Sequence, residues 1–213
     1  MPVLFPVIEV VPVETPVALT QLPLADWLVF ISPSAVRMAL AAVGALPQSA
    51  RLAAVGQGTA RALRENGYAT VLCPSAGADS EALLALPELQ SLAGRRVILF
   101  RGEGGRDLLA ATLAARGAEV IDAVCYRRVV SVCDAAPVQA MLRAGQIDAV
   151  SVTSREILDA LLAKLGEDAA RLVTLPLFAP HPRIVQAARD RGMLHILEIA
   201  SGDAALLTAL QQL

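Results

Sequence analysis

The sequence predicts an α/β protein of two similar domains, with parallel sheets flanked by helices and joined by a two-stranded β connection. Three observations carry this. Short β-branched runs alternate with amphipathic stretches of about ten residues, the pattern of right-handed βαβ units. The order strand, Ser, helix, strand, turn, helix, Gly occurs twice: Ser32 stands 35 residues before Gly67, and Ser154 stands 38 before Gly192. Hydrophobic residues make up 55% of the 213 residues, and the excess is Ala, Val and Leu, as strands buried on both faces require.

Taken in order, residues 3–10 form a β-branched run interrupted by Pro6. Residues 11–16 read as an extended linker, because proline fixes φ and biases the residue before it away from helix. Residues 27–31 are an apolar, buried strand. Ser32 as N-cap and Pro33 as first helical residue start a helix that runs to about Leu46. Residues 52–55 form the next strand. Gly56-Gln57-Gly58-Thr59 turns into a helix that Asn66-Gly67 closes. A strand at 70–73 and a short helix at 80–86, ended by Pro87, lead to a strand at 97–100. Gly102-Glu103-Gly104-Gly105 breaks into a helix with Leu109 and Leu113 on one face, stopping at Arg116-Gly117. Residues 119–132 are one long strand-like stretch.

The second half repeats the scheme. Residues 148–152 are a strand, and Ser154 starts a helix with Ile157, Leu158, Leu161, Leu162 and Leu165 on one face. A strand at 172–178, a helix at 181–191 closed by Gly192, a strand at 194–199 and a terminal helix at 203–213 capped by Asp203 complete it. The stretches 3–13 and 120–132 are the natural crossings between the halves. Residues 1–14 are then an extended linker strand, 15–123 the first α/β domain, 124–134 the return strand and 135–213 the second domain.

Composition excludes several functions. Mean hydropathy is +0.57, yet the longest stretches without a charged residue, 38–50 and 66–78, have 13 residues each. A membrane-spanning helix needs about 18–20. A net charge of −2, from 18 basic and 20 acidic residues, gives no general attraction to nucleic acid or to an acidic membrane surface. Aromatic residues at 3% are too sparse for a base-stacking surface. Cys73, Cys125 and Cys133 form no CxxC, and His181 and His195 are the only histidines. Reduced thiols in a cytosolic protein are expected, and no zinc site. Met1-Pro2-Val3-Leu4-Phe5 has no basic region and no cleavage site, so no secretory signal is read. That disfavours a small-ligand receptor of the two-domain periplasmic type.

The chemistry concentrates at strand ends. Ser32-Pro33-Ser34, Gly56-Gln57-Gly58-Thr59, Gly102-Glu103-Gly104-Gly105 and Thr153-Ser154-Arg155 all follow strands and open helices. In open α/β sheets ligands bind at that edge, and free N–H groups with the helix dipole favour carboxylates or phosphates there. Each turn alone reads as a cap; four of them on two domains point to a polyanion-binding cleft. No P-loop, GxGxxG or GxSxG is present. Acidic residues fall mainly on helix faces, so paired catalytic carboxylates are not indicated. Arg101, Arg106, Arg127, Arg155 and Arg183 are the arginines placed to reach a cleft, or else they sit on solvated faces. Tyr126, in Cys125-Tyr126-Arg127-Arg128, lies at a domain crossing. Its phenol is a proton donor in principle; on the chain alone a structural tyrosine is the usual reading.

Together these segments resemble the uroporphyrinogen-III synthase family, the cofactor-free cyclases of tetrapyrrole biosynthesis. The resemblance is carried by Val29-Phe30-Ile31-Ser32-Pro33-Ser34-Ala35-Val36, by Ala54-Val55-Gly56-Gln57-Gly58-Thr59-Ala60 and by Arg101-Gly102-Glu103-Gly104-Gly105-Arg106-Asp107-Leu108-Leu109. It continues through Leu113, Arg116-Gly117-Ala118-Glu119-Val120 and Tyr126-Arg127-Arg128, with His181-Pro182-Arg183-Ile184 similar to a second glycine turn. It implies two α/β domains joined by two strands, with the active site in the cleft. The implied substrate is hydroxymethylbilane, a linear tetrapyrrole with acetate and propionate groups on every ring. It loses its hydroxyl as water and closes through a spiro intermediate to give uroporphyrinogen III with ring D inverted.

By the same resemblance, Tyr126 matches the proton donor, and Ser32, Thr59, Arg106 and Ser154 match polar positions of the cleft. Backbone N–H groups near Ser34, Gly58, Gly105 and Arg155 are expected to bind carboxylates as much as side chains do. Ile184 stands where many members have threonine, and His181 or Arg183 is expected to take over there. A cytoplasmic monomer is implied, with hydroxymethylbilane synthase a candidate partner upstream. The family usually opens with a further strand and helix, roughly 35–40 residues, whose strand is central in the second domain's sheet by the doubly wound pattern. On that expectation residues 1–14 also hold the remnant of the second domain's start, and either Met1 is not the natural start or the chain is a shortened, inactive form. A non-catalytic module that binds a tetrapyrrole or other polyanion is the alternative.

Overall fold

The structure, a computed structural model, describes residues 1–14, 20–75, 77, 79–104, 107–200 and 202–212. It divides into two compact units, one of Val10–Val129 and one of Met1–Glu9 with Val130–Leu213. The chain leaves the second of these after Glu9 and returns to it at Val130.

The Val10–Val129 unit is organised by a six-stranded sheet. Its strands are β1 (Ile8–Pro12), β2 (Trp27–Phe30), β3 (Arg51–Ala54), β4 (Val71–Leu72), β5 (Arg96–Gly102) and β6 (Glu119–Val130), in the order β1-β6-β5-β2-β3-β4. The pairs β2–β3, β2–β5, β3–β4 and β5–β6 are parallel. Beside β6, β1 runs antiparallel: Ser131 N–H donates to Val7 O and Val13 N–H to Cys125 O, both at 3.0 Å, so numbers rise on one strand as they fall on the other.

Side-chain alternation explains the layers. Leu28, Phe30, Ile98 and Phe100 face one side and pack with Ala35, Val36 and Ala39 of helix α1 (Pro33–Val43) and Ala60 and Leu63 of α2 (Gln57–Glu65). Trp27, Val29, Val97 and Leu99 face the other. There they meet Leu83 and Leu84 of α3 (Ser80–Leu84) and Leu109 and Leu113 of α4 (Leu108–Ala115). Strands buried on both faces read as continuous apolar runs, which is why residues 27–31 and 97–100 were legible. Phe30 and Phe100 are register partners, and their rings stack with centroids 4.7 Å apart. Such a pair contributes about 0.5–1.5 kcal/mol beyond its burial.

The other unit has a three-stranded parallel sheet, β7 (Val150–Ser151), β8 (Leu177–Ala179) and β9 (Ile196–Glu198), in that order. Helices α5 (Ala136–Arg143), α6 (Arg155–Leu165), α7 (Pro182–Asp190) and α8 (Asp203–Leu210) accompany it. Leu158, Leu161 and Leu165 of α6 pack with Leu177, Ala179, Val185 and Ala188. Among the described residues no helix is long and apolar enough to cross a membrane.

Several expected boundaries move. The helix expected to reach Leu46 ends at Val43, because Gly44 takes φ 74°. The first strand is Ile8–Pro12 rather than 3–10, since its paired N–H groups lie beyond Pro6. Of the expected strand 172–178 only Leu177 and Phe178 are in a strand, which runs on to Ala179; Leu172 ends a 3-10 helix, Gly166–Leu172. A short apolar run does not distinguish a strand from a buried helix end. Asp203 is not the cap of α8: Gly202 is, and Asp203 lies in the first turn without a capping bond.

Candidate functional site

Helix α1 carries β2 across to β3 on one side, and β5 then takes the other side of β2. The strand order therefore reverses beside β2, and the carboxyl ends of β2 and β5 form the topological switch point where doubly wound sheets bind ligands. Ser32 follows β2 at this point, and Tyr126 approaches it from β6.

A bulge brings Tyr126 there. Arg101 pairs with Val124, but Gly102 pairs with Tyr126, so Cys125 is left over. Consecutive residues of a regular strand face opposite sides. Here both Cys125 and Tyr126 belong to the core cluster beneath α1 and α2, because the extra residue re-aims the second one. Tyr126 is 1% exposed. Its phenol oxygen lies 3.0 Å from the Ser32 hydroxyl. Ser32 Oγ also accepts from Ala35 N–H at 3.1 Å as the N-cap of α1. The Arg128 guanidinium stands 5.7 Å from the centre of the tyrosine ring. Gly102 flanks that ring so closely that a Cβ there would meet Tyr126 Cε2 at 2.5 Å.

Three of the four turns expected from sequence share one conformation with the His181 turn; the fourth, after Gly102, differs, since Asp107 at the start of α4 has φ −82° and ψ 1° and makes no capping bond. Ser32 (φ −157°, ψ 159°), Gly56 (−152°, 168°), Ser154 (−154°, 160°) and His181 (−156°, 138°) are the N-caps of α1, α2, α6 and α7. Ser154 Oγ accepts from Ile157 N–H at 3.1 Å, matching the bond at Ser32. The N–H groups of Ser34, Gly58 and Arg155 have no acceptor among the described residues, which leaves them for an anion. A Cβ on Gly58 would lie 4.0 Å from Pro33 Cγ, so the starts of α1 and α2 are neighbours. Thr59 follows in the same turn and is 4% exposed.

His181 is itself the N-cap of α7. Its Nδ1 accepts from Arg183 N–H at 3.1 Å, so that N–H and that nitrogen are already committed to the cap. Ile184 is buried in the core of its unit; it holds the third helical position of α7, as Thr59 does in α2. Arg183 and Arg127 are exposed. Arg155 is exposed and pairs with Asp159 at 3.7 Å. Arg101 is not a free cation: it is 7% exposed, donates to Gly104 O at 2.9 Å and to Asp107 at 3.2 Å, and pairs with Asp122 at 3.6 Å. It braces the turn after β5. Gly105 and Arg106 lie outside the described residues.

Two residues beside the Tyr126 ring, Gly102 and Arg128, were not expected there from sequence; Gly102 was read only as part of an anion-binding turn. No sequence signal marks them, since both contacts with Tyr126 depend on the bulged register. Cys125, its neighbour, is packed away: burial pushes its thiol up to about 11. Among the described residues no three His, Cys, Asp or Glu side chains gather as a ligand set for a metal.

Two cavities lie elsewhere. One of about 450 Å³ opens at the amino ends of β2, β3 and β5, lined by Asp26, Trp27, Arg51 and Arg95 among others. Another of about 520 Å³ is lined by Arg143, Glu167, Asp168, Ala170 and Arg171. Neither contains a sequence-predicted residue. Ligands of such sheets bind at the carboxyl ends of strands, so the Ser32–Tyr126 edge remains the candidate site. The arrangement there can donate a proton from a hydroxyl and hold carboxylates on free N–H groups.

A family model described as uroporphyrinogen-III synthase HemD matches residues 1–204. The uroporphyrinogen-III synthase of Escherichia coli (strain K12) is 38% identical over 162 residues, covering 74% of this chain and 65% of that one. That of Salmonella typhimurium is 37% identical over 169 residues, covering 78% and 68%. The chain thus spans about two thirds of the length of these curated relatives. Among solved structures, uroporphyrinogen-III synthetase from Helicobacter pylori 26695 shares the fold with a TM-score of 0.68 at 16% identity, over 97% of this chain and 91% of that one. A mutant uroporphyrinogen III synthase from Thermus thermophilus does so with a TM-score of 0.60 at 22% identity, over 99% and 88%.

Proposed function

The chain belongs to the uroporphyrinogen-III synthase family, and from that premise we propose that it cyclises hydroxymethylbilane to uroporphyrinogen III, with loss of water and inversion of ring D. The observation that carries this reading is the Ser32–Tyr126 hydroxyl pair, 3.0 Å apart, beside unpaired helix N–H groups at the switch point of the sheet.

The chemistry asks little beyond position and protons. Tyr126 gives a proton to the departing hydroxyl, which leaves as water. The resulting cation is attacked by a carbon of ring D; the spiro intermediate reopens, recloses with ring D inverted, and loses a proton. No electrons are gained or lost overall, so the reaction is a cofactor-independent elimination with cyclisation, a lyase step. Spontaneous closure gives the uninverted isomer, so holding the folded conformer is the larger catalytic contribution.

The carboxylates supply the handles. Acetate and propionate groups suit the N–H groups of Ser34, Gly58 and Arg155, with Thr59, Ser154 and Arg183 as side-chain contacts and Nε2 of His181 as a further one. Gly105 and Arg106 complete the set in this reading. The enzyme works as a cytoplasmic monomer that receives its substrate from hydroxymethylbilane synthase.

Replacing Tyr126 by Phe tests the assignment. The expected outcome is a rate of type III formation lower by about 10²–10⁴-fold, with equilibrium binding of hydroxymethylbilane retained. An unchanged rate would remove Tyr126 from the mechanism. A parent chain that binds the substrate without turnover would be a tetrapyrrole-binding module of the same family.

A further inference from the structure

Packing and hydrogen bonding constrain different degrees of freedom of the Tyr126 side chain. The ring is fixed by packing. It is 1% exposed in the core beneath α1 and α2, and Gly102 leaves no room on one flank for even a methyl group. What packing does not fix is the torsion of the phenol O–H. Among the described residues, Ser32 is the group that meets the phenol oxygen, at 3.0 Å.

We infer that Ser32 is a positioning residue that acts through Tyr126, donating to the phenol oxygen so that the tyrosine proton points away from Ser32 and toward the departing hydroxyl. This rests on the reading of Tyr126 as the proton donor. A serine hydroxyl has one proton and two lone pairs. One lone pair of Ser32 is engaged by Ala35 N–H at 3.1 Å. Accepting that bond polarises the hydroxyl and strengthens its own donation. The chain of bonds then runs from Ala35 N–H to Ser32 Oγ–H to Tyr126 Oη–H, and its last proton is free. In the opposite arrangement the phenol proton is spent on Ser32. The capping role and the positioning role thus belong to one side chain, and the start of α1 sets the direction of the donor.

The test is a set of variants assayed for kcat, KM and melting temperature with hydroxymethylbilane: Ser32→Ala, Ser32→Gly, Ser32→Thr, Tyr126→Phe and the double Ser32→Ala/Tyr126→Phe. Glycine keeps most of the stability of a serine N-cap without a hydroxyl, so it separates capping from positioning. The expected result is a kcat lower by about 10- to 100-fold in Ser32→Ala and Ser32→Gly alike, with KM little changed and Ser32→Thr restored. The double variant is expected to be no slower than Tyr126→Phe alone.

Losses that multiply in the double variant would overturn the inference. So would a raised KM at unchanged kcat, which would make Ser32 a carboxylate contact, or full activity in Ser32→Gly, which would make it only a cap. A slow Tyr126→Phe with a normal Ser32→Ala would sink the positioning role and leave the proton donor standing. Full activity in Tyr126→Phe would sink both.

Discussion

Gly102 and Tyr126 are opposed across the β5–β6 bulge so closely that a Cβ on Gly102 would stand 2.5 Å from Cε2, 2.6 Å from Cζ and 2.9 Å from the phenol oxygen. The contact is to the end of the ring that carries the hydroxyl, so it sets where the proposed donor sits. Replacing Gly102 by Ala forces the ring or β5 to move. The expected cost is about 1–3 kcal/mol of stability, as for other overpacked cores, together with a fall in kcat from the displaced phenol. Urea unfolding and turnover measured on the same preparation check this. Wild-type values of both would contradict the close packing.

Ser154 caps α6 as Ser32 caps α1, with the same bond length and backbone angles. Ser154→Ala is expected to lower stability by about 1 kcal/mol, and Ser154→Gly by only a few tenths. Equilibrium denaturation of the two variants reads the difference directly. Equal losses would mean that the hydroxyl does not cap.

Asp168 gives a pH signature. Its side chain is 9% exposed. The side-chain hydrogen bond from Arg143 is the largest influence and lowers its pKa; the charges of Arg143 and Arg171 add to this, against the opposing effect of burial. A carboxyl lowered in the folded state contributes stability above the unfolded-state pKa and loses it as pH falls through the folded one. Asp168→Asn is therefore expected to melt below the parent at pH 7, with the gap closing below about pH 4. Melting curves from pH 2 to 8, a range of about six pH units around the carboxylate pKa, test it. A gap that is constant with pH would contradict the ion pair.

Cys125 is expected to resist modification. Burial raises its thiol to about 11, and the thiolate is the reactive form. At pH 8, brief alkylation followed by peptide mass spectrometry should leave Cys125 unlabelled in the native protein and labelled after unfolding. Rapid native labelling would show that the core beneath α1 opens.

The sequence announced what local chemistry dictates. Ser32-Pro33 marked α1, Ser154 marked α6, and both helices closed by Asn66-Gly67 and Gly192 end where φ is positive, at 92° and 82°. These signals reside in one or two side chains and need no partner. β2, β3 and β5 of the six-stranded sheet were legible because they are buried on both faces, while β4, β7 and β8 are two or three residues long and leave little pattern from which to read their bounds.

What stayed hidden depends on register. No spacing in the chain reveals that Gly102 faces Tyr126, that Arg101 spends its guanidinium on the turn ending at Asp107, or that Arg128 stacks over the tyrosine. His181 shows the same limit in another form: it was read as a carboxylate contact, and nothing in the chain showed that its Nδ1 caps α7. The candidate residues were recognisable as types at strand ends, and the bonds among them were not.

The most direct test of the account is product identity. Hydroxymethylbilane is incubated with the chain, the products are oxidised, and the type I and type III uroporphyrins are separated against a control without protein. The account predicts type III above the control, and its loss in Tyr126→Phe. Type I alone, at the spontaneous rate, would contradict it.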